Sequence, residues 1–389
     1  MSEIFDFDTL INRRNTGSYK WDSAADSDII PLWVADMDFK TAPAIIEALE
    51  KRVEHGVFGY TRVPEEYYNA TIDWFANCHG LRMGRDEIIY TSGVVPAISA
   101  IIKGLTKPGE GVLVMTPVYN CFFSSIRNNG CRIVESPLIY ANHTYQIDWE
   151  DLEQKASDPG VTMFLLCNPH NPACRVWSRD ELKRIGEIMA RNNVKVVSDE
   201  IHGELVFPPY RYTPFAAVCP EFRESAVTCS SPSKAFNIAG LQIANIFAAS
   251  AEDRRLIDRA INDNEVCDVN PMGVTALIAA YRHGLPWLEA LNKYLYENYL
   301  VAKDMILSAL PMLDVATLEG TYLMWVDCRS TGMSSEQLED YLLKEAKVWI
   351  NAGTMYGDAG EGFIRINLAC PRARLVEGIN RIINCLSKI

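Results

Sequence analysis

The sequence predicts an α/β fold: a large domain whose mostly parallel sheet is covered by helices, plus a smaller α+β domain. Three observations carry this expectation. From residue 86 onward, short apolar runs alternate with helical patterns. Several runs, such as Gly111 to Met115, are apolar without a break, as strands buried on both faces require. The 389 residues exceed what one small core needs and fit two or three domains.

Residues 1 to 45 read as irregular, with turn residues in Arg13-Arg14-Asn15-Thr16-Gly17-Ser18. Such a segment cannot form a core alone, so it is expected to pack as an arm that belongs to the smaller domain. A helix is expected from Pro43 to Val53 on the apolar positions Ile45, Ile46 and Leu49, ended by Gly56. Another runs from Glu65 to His79 and stops at Gly80. Strands are expected at Glu87 to Tyr90, Gly111 to Met115, Cys131 to Ser136, Val161 to Cys167, Val194 to Ser198, Ala226 to Cys229 and Gln242 to Ala248. Between them lie helices at Val95 to Leu105, Asn120 to Asn128, Trp149 to Ala156 and Ser178 to Asn192. The last opens on Ser178-Arg179-Asp180-Glu181, a capping-box pattern.

After Gly284 the alternation gives way to a long helix over Trp287 to Leu310, a strand over Gly320 to Asp327 and a helix over Ser334 to Lys347. Strands over Val348 to Asn351 and Phe363 to Leu368 and a helix over Arg372 to Leu386 complete the chain. The expected division is an arm over 1–45, a large ligand-binding domain over 46–284 and a small domain over 285–389.

The net charge of -13 argues against a nucleic-acid backbone or an acidic membrane surface as partner. Met1-Ser2-Glu3-Ile4-Phe5-Asp6 lacks the basic and apolar segments of a signal peptide, and no apolar stretch spans a bilayer, so a cytoplasmic protein is expected. The eleven cysteines are odd in number and form no Cys-x-x-Cys pair, and the six histidines show no zinc spacing. Buried free thiols are expected, and no metal site.

In open α/β sheets ligands bind beyond the carboxyl ends of the strands, so the residues just after each apolar run carry the chemistry. The run ending at Tyr90 leads into Thr91-Ser92-Gly93-Val94 at a helix start, which offers N–H groups to a phosphate. The next leads to Tyr119, an aromatic placed to stack on a flat ring. Val161 to Cys167 leads to Asn168-Pro169-His170-Asn171-Pro172, a turn that presents amides. Val194 to Ser198 ends in Asp199, Glu200 and His202, and Ala226 to Cys229 ends in Ser230-Ser231-Pro232-Ser233-Lys234.

Lys234 is a lone amine among hydroxyls, able to form a Schiff base with a carbonyl-bearing cofactor. A carboxylate at the end of a buried strand is costly unless it meets a cation, and a protonated pyridine nitrogen is one. With Lys234 for the aldehyde, Asp199 for the ring nitrogen, Tyr119 for the ring face and Ser92, Ser231 and Ser233 near the phosphate, every face of pyridoxal phosphate is covered. Taken singly each has an ordinary reading: Asp199 a helix cap, Tyr119 a core ring, His202 a hydrogen-bonded structural histidine. Their joint placement at successive strand ends favours the cofactor.

The motifs Pro31-Leu32-Trp33-Val34-Ala35-Asp36-Met37-Asp38-Phe39, Asn168-Pro169-His170-Asn171-Pro172, Ser198-Asp199-Glu200-Ile201-His202, Ser233-Lys234-Ala235-Phe236-Asn237 and Arg365-Ile366-Asn367-Leu368-Ala369-Cys370-Pro371-Arg372 occur in that order. In this the chain resembles the fold-type I pyridoxal-phosphate enzymes of the class I/II aminotransferase family, within them the cystathionine β-lyase (C-S lyase) branch of MalY/PatB type. The resemblance implies that Asn171 bonds the ring oxygen of the cofactor and that Arg365 clamps the substrate α-carboxylate. It also implies that Tyr60 reaches the cofactor phosphate of a neighbouring subunit, and hence a homodimer. Three positions depart from the family pattern. Cys174 stands where the branch has glycine, His202 where many aminotransferases have tyrosine, and Gln242 where they have a phosphate-binding arginine.

The function implied is α,β-elimination on cystathionine or related cysteine S-conjugates to pyruvate, ammonia and a thiol. An aminotransferase, which differs only in where the carbanion is reprotonated, is the alternative. Ser231-Pro232-Ser233-Lys234 also matches the Ser-x-x-Lys of serine acyl enzymes, but the companion Ser-Asp-Asn and Lys-Thr-Gly motifs do not occur. A regulatory role through protein contacts is a third reading.

Overall fold

The chain is described by a computed structural model over residues 5–389, with Ala25, Asn264 and Cys267 excepted. Met1 to Ile4, on which the expectation of no signal peptide partly rests, lie outside the described residues.

The arm forms one helical turn, α1 (Tyr19–Asp22), and a two-residue strand, β1 (Ile30–Pro31). Helices α2 (Pro43–His55) and α3 (Glu65–His79) follow, closed by Gly56 at φ 75° and Gly80 at φ 68°. A residue without Cβ takes that left-handed backbone freely, which is why both helices stop where the sequence places glycine. Next come β2 (Ile88–Thr91), α4 (Val94–Leu105), β3 (Gly111–Thr116), α5 (Cys121–Asn128) and β4 (Arg132–Pro137). A hairpin of β5 (Ile139–Ala141) and β6 (Thr144–Gln146) leads to α6 (Trp149–Ala156), β7 (Val161–Cys167), α7 (Arg179–Arg191) and β8 (Lys195–Asp199). The capping box at the start of α7 is complete: Ser178 accepts from the Glu181 N–H and the Glu181 carboxylate accepts from the Ser178 N–H. Then follow α8 (Pro220–Arg223), β9 (Ala226–Ser230), β10 (Ala244–Ala248), α9 (Ala251–Asn262) and α10 (Pro271–His283).

Seven strands make one sheet in the order β2-β10-β9-β8-β7-β3-β4. All pairs from β9 to β4 are parallel, while β10 runs antiparallel to both neighbours. Side chains alternate between the two faces. Val112 and Val114 of β3, Val197 of β8 and Val227 of β9 pack with Ile98 and Ile101 of α4 and Ile257 of α9. Leu113 and Met115, Phe164 and Leu166, and Val196 pack on the other side with Leu182, Ile185 and Met189 of α7. Burial on both faces explains the unbroken apolar runs. At Gly104 an added Cβ would lie 2.9 Å from the Leu256 oxygen, so glycine there is what lets α4 and α9 approach.

The C-terminal elements are α11 (Leu285–Ala309), β11 (Asp314–Val315), β12 (Leu323–Asp327), α12 (Ser335–Tyr341), β13 (Val348–Trp349), β14 (Asn351–Ala352), β15 (Phe363–Asn367) and α13 (Arg372–Leu386). An antiparallel sheet of order β11-β12-β15-β14 sets Arg365 in the middle of β15, opposite Trp325. The arm joins this part of the chain, because β1 pairs in parallel with β13, Ile30 opposite Val348.

Differences from the sequence reading are local. The strand expected over Val348 to Asn351 splits, β13 pairing with the arm and β14 with β15. The helix expected to Lys347 passes from α12 into a π-turn over Leu342–Ala346 and ends with Lys347 at φ 55°. The hairpin β5-β6 and helices α9 and α10 were not expected; α10 is so widely buried that its apolar pattern shows no stripe. No described helix is long and apolar enough to cross a membrane.

Candidate active site

At the carboxyl ends of β3, β7, β8 and β9 lies a cavity of about 280 Å³. Ser92, Gly93, Val94, Tyr119, Asn171, Asp199, His202, Ser233 and Lys234 line it together. The sheet order explains the place: β3 pairs with β4 on one side and β7 on the other, so the chain reverses direction here and leaves a crevice.

Lys234 follows β9, and its Nζ donates to the Ala35 carbonyl at 2.6 Å. Burial, helped by the Arg365 guanidinium, pulls its amine down to about 8, against the opposing pull of Asp36 and Asp199. Asp199 closes β8 with its carboxylate buried, and among the described residues only the Ile201 N–H bonds to it, at 3.2 Å. Burial pushes its pKa up to about 7, with Glu200 adding and Lys234 opposing. It has no ion-pair partner among the described residues, so a cation brought against it from the cavity would relieve a charge that the fold leaves unmet.

His202 is buried and held neutral, pulled down to about 3 by burial and by Lys234 and Arg365. Its Nδ1 has no hydrogen-bond partner among the described residues. Asn171 follows the turn after β7, and its Oδ1 accepts from Arg365 at 3.2 Å, which leaves its NH2 group for a ligand. The phenol of Tyr119 is pushed up by burial. Ser92, Gly93 and Val94 stand at the N-terminus of α4, a twelve-residue helix whose first N–H groups have no intrahelical partners.

Arg365 is buried in β15 beside the cavity rather than among its lining residues. It donates to the Trp33 carbonyl at 2.8 Å and lies 4.8 Å over the Tyr356 ring. No carboxylate pairs with it among the described residues, and its Nε is unpartnered. A buried guanidinium in that state suits a carboxylate ligand.

Two expected residues are not gathered here. Ser231 braces the turn instead, its hydroxyl donating to Ile243 O at 2.5 Å and accepting from the Ser233 N–H at 3.0 Å. Tyr60 is 98% exposed and lies outside the cavity of its own chain. Of the departures, Cys174 takes φ 62°, a left-handed backbone that favours glycine, and its buried thiol donates to Pro172 O and Leu323 O. Gln242, at φ 53°, lines the cavity and donates to Ala239 O at 2.9 Å.

The sequence reading missed Ala35, Pro96, Ile201, Ala239 and Ile243 in the cavity wall. Small and apolar residues have no chemical signature, but Ala35 sits inside the Pro31 to Phe39 motif and had that signal. Tyr356 and Tyr322 were also missed; Tyr322 donates to Ala35 O at 2.9 Å.

The model of the family "Aminotransferase class I and II" matches residues 27–382. A curated relative, the cystathionine beta-lyase PatB of Bacillus subtilis (strain 168), is 41% identical over 98% of this chain and 100% of its own. A PLP-bound protein from Clostridium difficile 630, provisionally described as an aminotransferase, superposes with a TM-score of 0.96 at 40% identity, covering 98% of this chain and 100% of its own. The PLP-bound C-S lyase from Staphylococcus hominis does so with a TM-score of 0.93 at 32% identity, over 99% of each chain.

Proposed function

Because the chain belongs to the class I and II aminotransferase family, we propose that it is a pyridoxal-phosphate-dependent carbon-sulfur lyase. The reaction is α,β-elimination on cystathionine or a related cysteine S-conjugate; the relative PatB is named a cystathionine beta-lyase. One observation carries the cofactor reading: a single cavity holds the depressed amine of Lys234, the unpaired carboxylate of Asp199 and the open N-terminus of α4. These are the partners of an aldehyde, a ring N–H and a phosphate.

When bound, the cofactor supplies a carbonyl that condenses with amines and a protonated ring that takes up electrons released at the substrate Cα. The chain's groups do the rest. Arg365 would clamp the substrate α-carboxylate, and Asn171, whose Oδ1 is taken by Arg365, would offer its NH2 group to the ring oxygen. Tyr119 would stack on the ring, the neutral imidazole of His202 lines the same cavity, and Asp199 would hold the ring N–H. Ser92 and Ser233, with the N–H groups of Gly93 and Val94, would hold the phosphate. Lys234, a part of which is unprotonated near neutral pH, takes the proton from Cα. The net reaction would consume one water and release the Cβ sulfur as a thiol together with pyruvate and ammonia.

The site is completed by a second copy of the chain, whose Tyr60 reaches the phosphate. Val57 and Phe58 beside it are exposed like Tyr60, and an apolar patch of this kind favours association. We divide the chain into an arm (1–45), a large cofactor domain (46–284) and a small domain (285–389), with Ala35 and Arg365 reaching the site from the first and last. The ten described cysteines are free thiols, the state a reducing cytoplasm keeps.

Two measurements test the reading. The purified protein should absorb in the band of a lysine-bound pyridoxal phosphate, and should release pyruvate from cystathionine or S-alkylcysteines without any keto acid. No shifted absorbance would sink the cofactor, and turnover only with an added keto acid would make the protein an aminotransferase.

A further inference from the structure

Glu200 is a second buried carboxylate, next in sequence to Asp199, that the proposed chemistry does not use. Its Oε1 accepts from the Phe215 N–H at 2.8 Å, from the Ser198 hydroxyl at 2.7 Å and from the Asn168 amide at 3.3 Å. Its Oε2 accepts from the Tyr212 hydroxyl. No cation pairs with it among the described residues.

The donors decide its charge. A backbone N–H can only donate, and the Asn168 amide nitrogen, also bonded to Thr213 O at 3.0 Å, can only donate too. The Ser198 and Tyr212 hydroxyls have no other acceptor among the described residues. A proton on Glu200 would therefore point at donors and strand at least one of them in the interior. Burial raises the Glu200 pKa on balance, with the four donors opposing it. The geometry of four hydrogen bonds aimed at the two oxygens is that of an anion solvated by neutral dipoles, with no countercharge among the described residues.

An uncompensated charge in a water-poor interior acts over several ångströms. The titratable groups that face Asp199 are Cys167 of β7, Cys229 of β9, Tyr119 after β3, Lys234 after β9 and Glu200 itself. The two thiols and the phenol are pushed up by burial and stay neutral. Lys234 draws the Asp199 proton affinity down, and Glu200 is the anion that raises it.

We propose that Glu200 is a positioning residue whose charge makes Asp199 a stronger acceptor for the ring N–H of the bound cofactor, so that the pair of Asp199 and ring nitrogen holds its proton more tightly. This rests on the cofactor reading above. The same carboxylate ties the Asn168 turn to the end of β8, so it also fixes Asn171 relative to Asp199.

The test uses holoenzyme reconstituted with pyridoxal phosphate isotope-labelled at the ring nitrogen, whose magnetic resonance separates the protonated from the free ring. In Glu200→Gln the change to the free ring is expected about one pH unit lower than in wild type, a roughly tenfold weaker hold on the proton. Tyr212→Phe removes a donor but keeps the charge, and its transition is expected to stay with the wild type. Equal shifts in both variants, or none in Glu200→Gln, overturn the proposal. If Glu200→Gln does not fold, carbon resonances of labelled glutamate in the wild type decide, with Glu200 assigned by its loss in Glu200→Asp. An ionised Glu200 at neutral pH supports the proposal, and a neutral one overturns it. A wild-type protein that takes up no labelled cofactor overturns the cofactor reading and this inference with it, an outcome distinct from the others.

Discussion

The amine of Lys234 and the hydroxyl of Tyr322 meet on one acceptor, the main-chain oxygen of Ala35, at 2.6 and 2.9 Å. That oxygen belongs to a segment whose neighbours are held in the same way. Arg365 bonds Trp33 O, Asn367 bonds Val34 O and Asp36 O, and Asn237 bonds Met37 O and Phe39 O. A strap so tied gives the lysine amine a defined resting place when it is not linked to a carbonyl.

Lys234→Arg keeps a cation there and removes both covalent attachment and basicity, because a guanidinium does not lose its proton at ordinary pH. Pyruvate release is expected to fall by about 10³-fold or more, while the cofactor still binds without a covalent link. Assay of pyruvate, with borohydride reduction to trap any linked cofactor, checks both parts.

Asp199 gives a stability prediction for the cofactor-free protein. Its pKa in the fold, about 7, lies above the unfolded value of about 4. Between these values the native state binds more protons, so the contribution of Asp199 is full below about pH 4 and is lost as pH rises through 7. Asp199→Asn is expected to remove that loss and stabilise the cofactor-free form at pH 8 by about 2–4 kcal/mol, while weakening cofactor binding. Denaturant melts of both proteins at pH 4 and pH 8 check it; an equal stability difference at the two pH values would refute it.

Arg365→Lys should act on substrate binding. A lysine reaches the carboxylate with one point charge instead of a planar fork, and it lacks the two separate nitrogens that Arg365 turns to Asn171 Oδ1 and Trp33 O. KM for the amino acid is expected to rise about 100-fold with a smaller change in kcat. Steady-state kinetics with one thioether substrate suffice.

What could be read from the sequence follows from which physics leaves a linear trace. Burial on both faces writes an apolar run with little alternation, so Val161–Cys167, interrupted only by Thr162, was legible to the residue. Strand ends carry polar chemistry, so Asp199, Tyr119 and Lys234 stood out in sequence and do meet in one cavity. Ser231 looked like Ser233, because nothing in the sequence says which hydroxyl turns back to bond Ile243 O. Arg365 owed its selection to family resemblance alone, since a strand arginine shows its lack of a carboxylate partner only in three dimensions. Two-residue strands such as β1 and β13 are made by long-range pairing and leave no pattern of their own.

Cys174 tests a backbone argument. Its left-handed φ of 62° strains any side chain and a β-branched one most. Cys174→Gly is expected to change stability by less than about 1 kcal/mol, relief of strain offsetting the lost packing, whereas Cys174→Val should cost about 2–3 kcal/mol. Thermal melts of the two variants decide.

Lys20 anchors the strap from behind. It is fully buried, its Nζ 3.2 Å from Asp38 and 3.5 Å from Asp36. Arg13 bridges the same two carboxylates at 2.6 and 2.8 Å, and Trp21 donates to Asp38 at 2.9 Å. Burial raises the pKa of Asp38, but Lys20, Trp21 and Arg13 together bring it below the usual carboxylate range. The stabilisation is therefore present above the unfolded pKa of about 4 and is lost as pH falls through the lower folded value. Lys20→Met is expected to cost about 3 kcal/mol at pH 7, less than removal of a sole partner because Arg13 and, at 3.9 Å, Arg374 remain beside Asp38, and the difference from wild type should shrink in acid. Since Asp36 O and Ala35 O lie on the same strap, kcat should fall as well. In the double variant Lys20→Met, Asp38→Leu both charges are gone, and its cost should be smaller than the sum of the costs of the two single variants. Costs that simply add would mean that the two charges do not act as a pair and that the strap owes its place to the neighbouring hydrogen bonds.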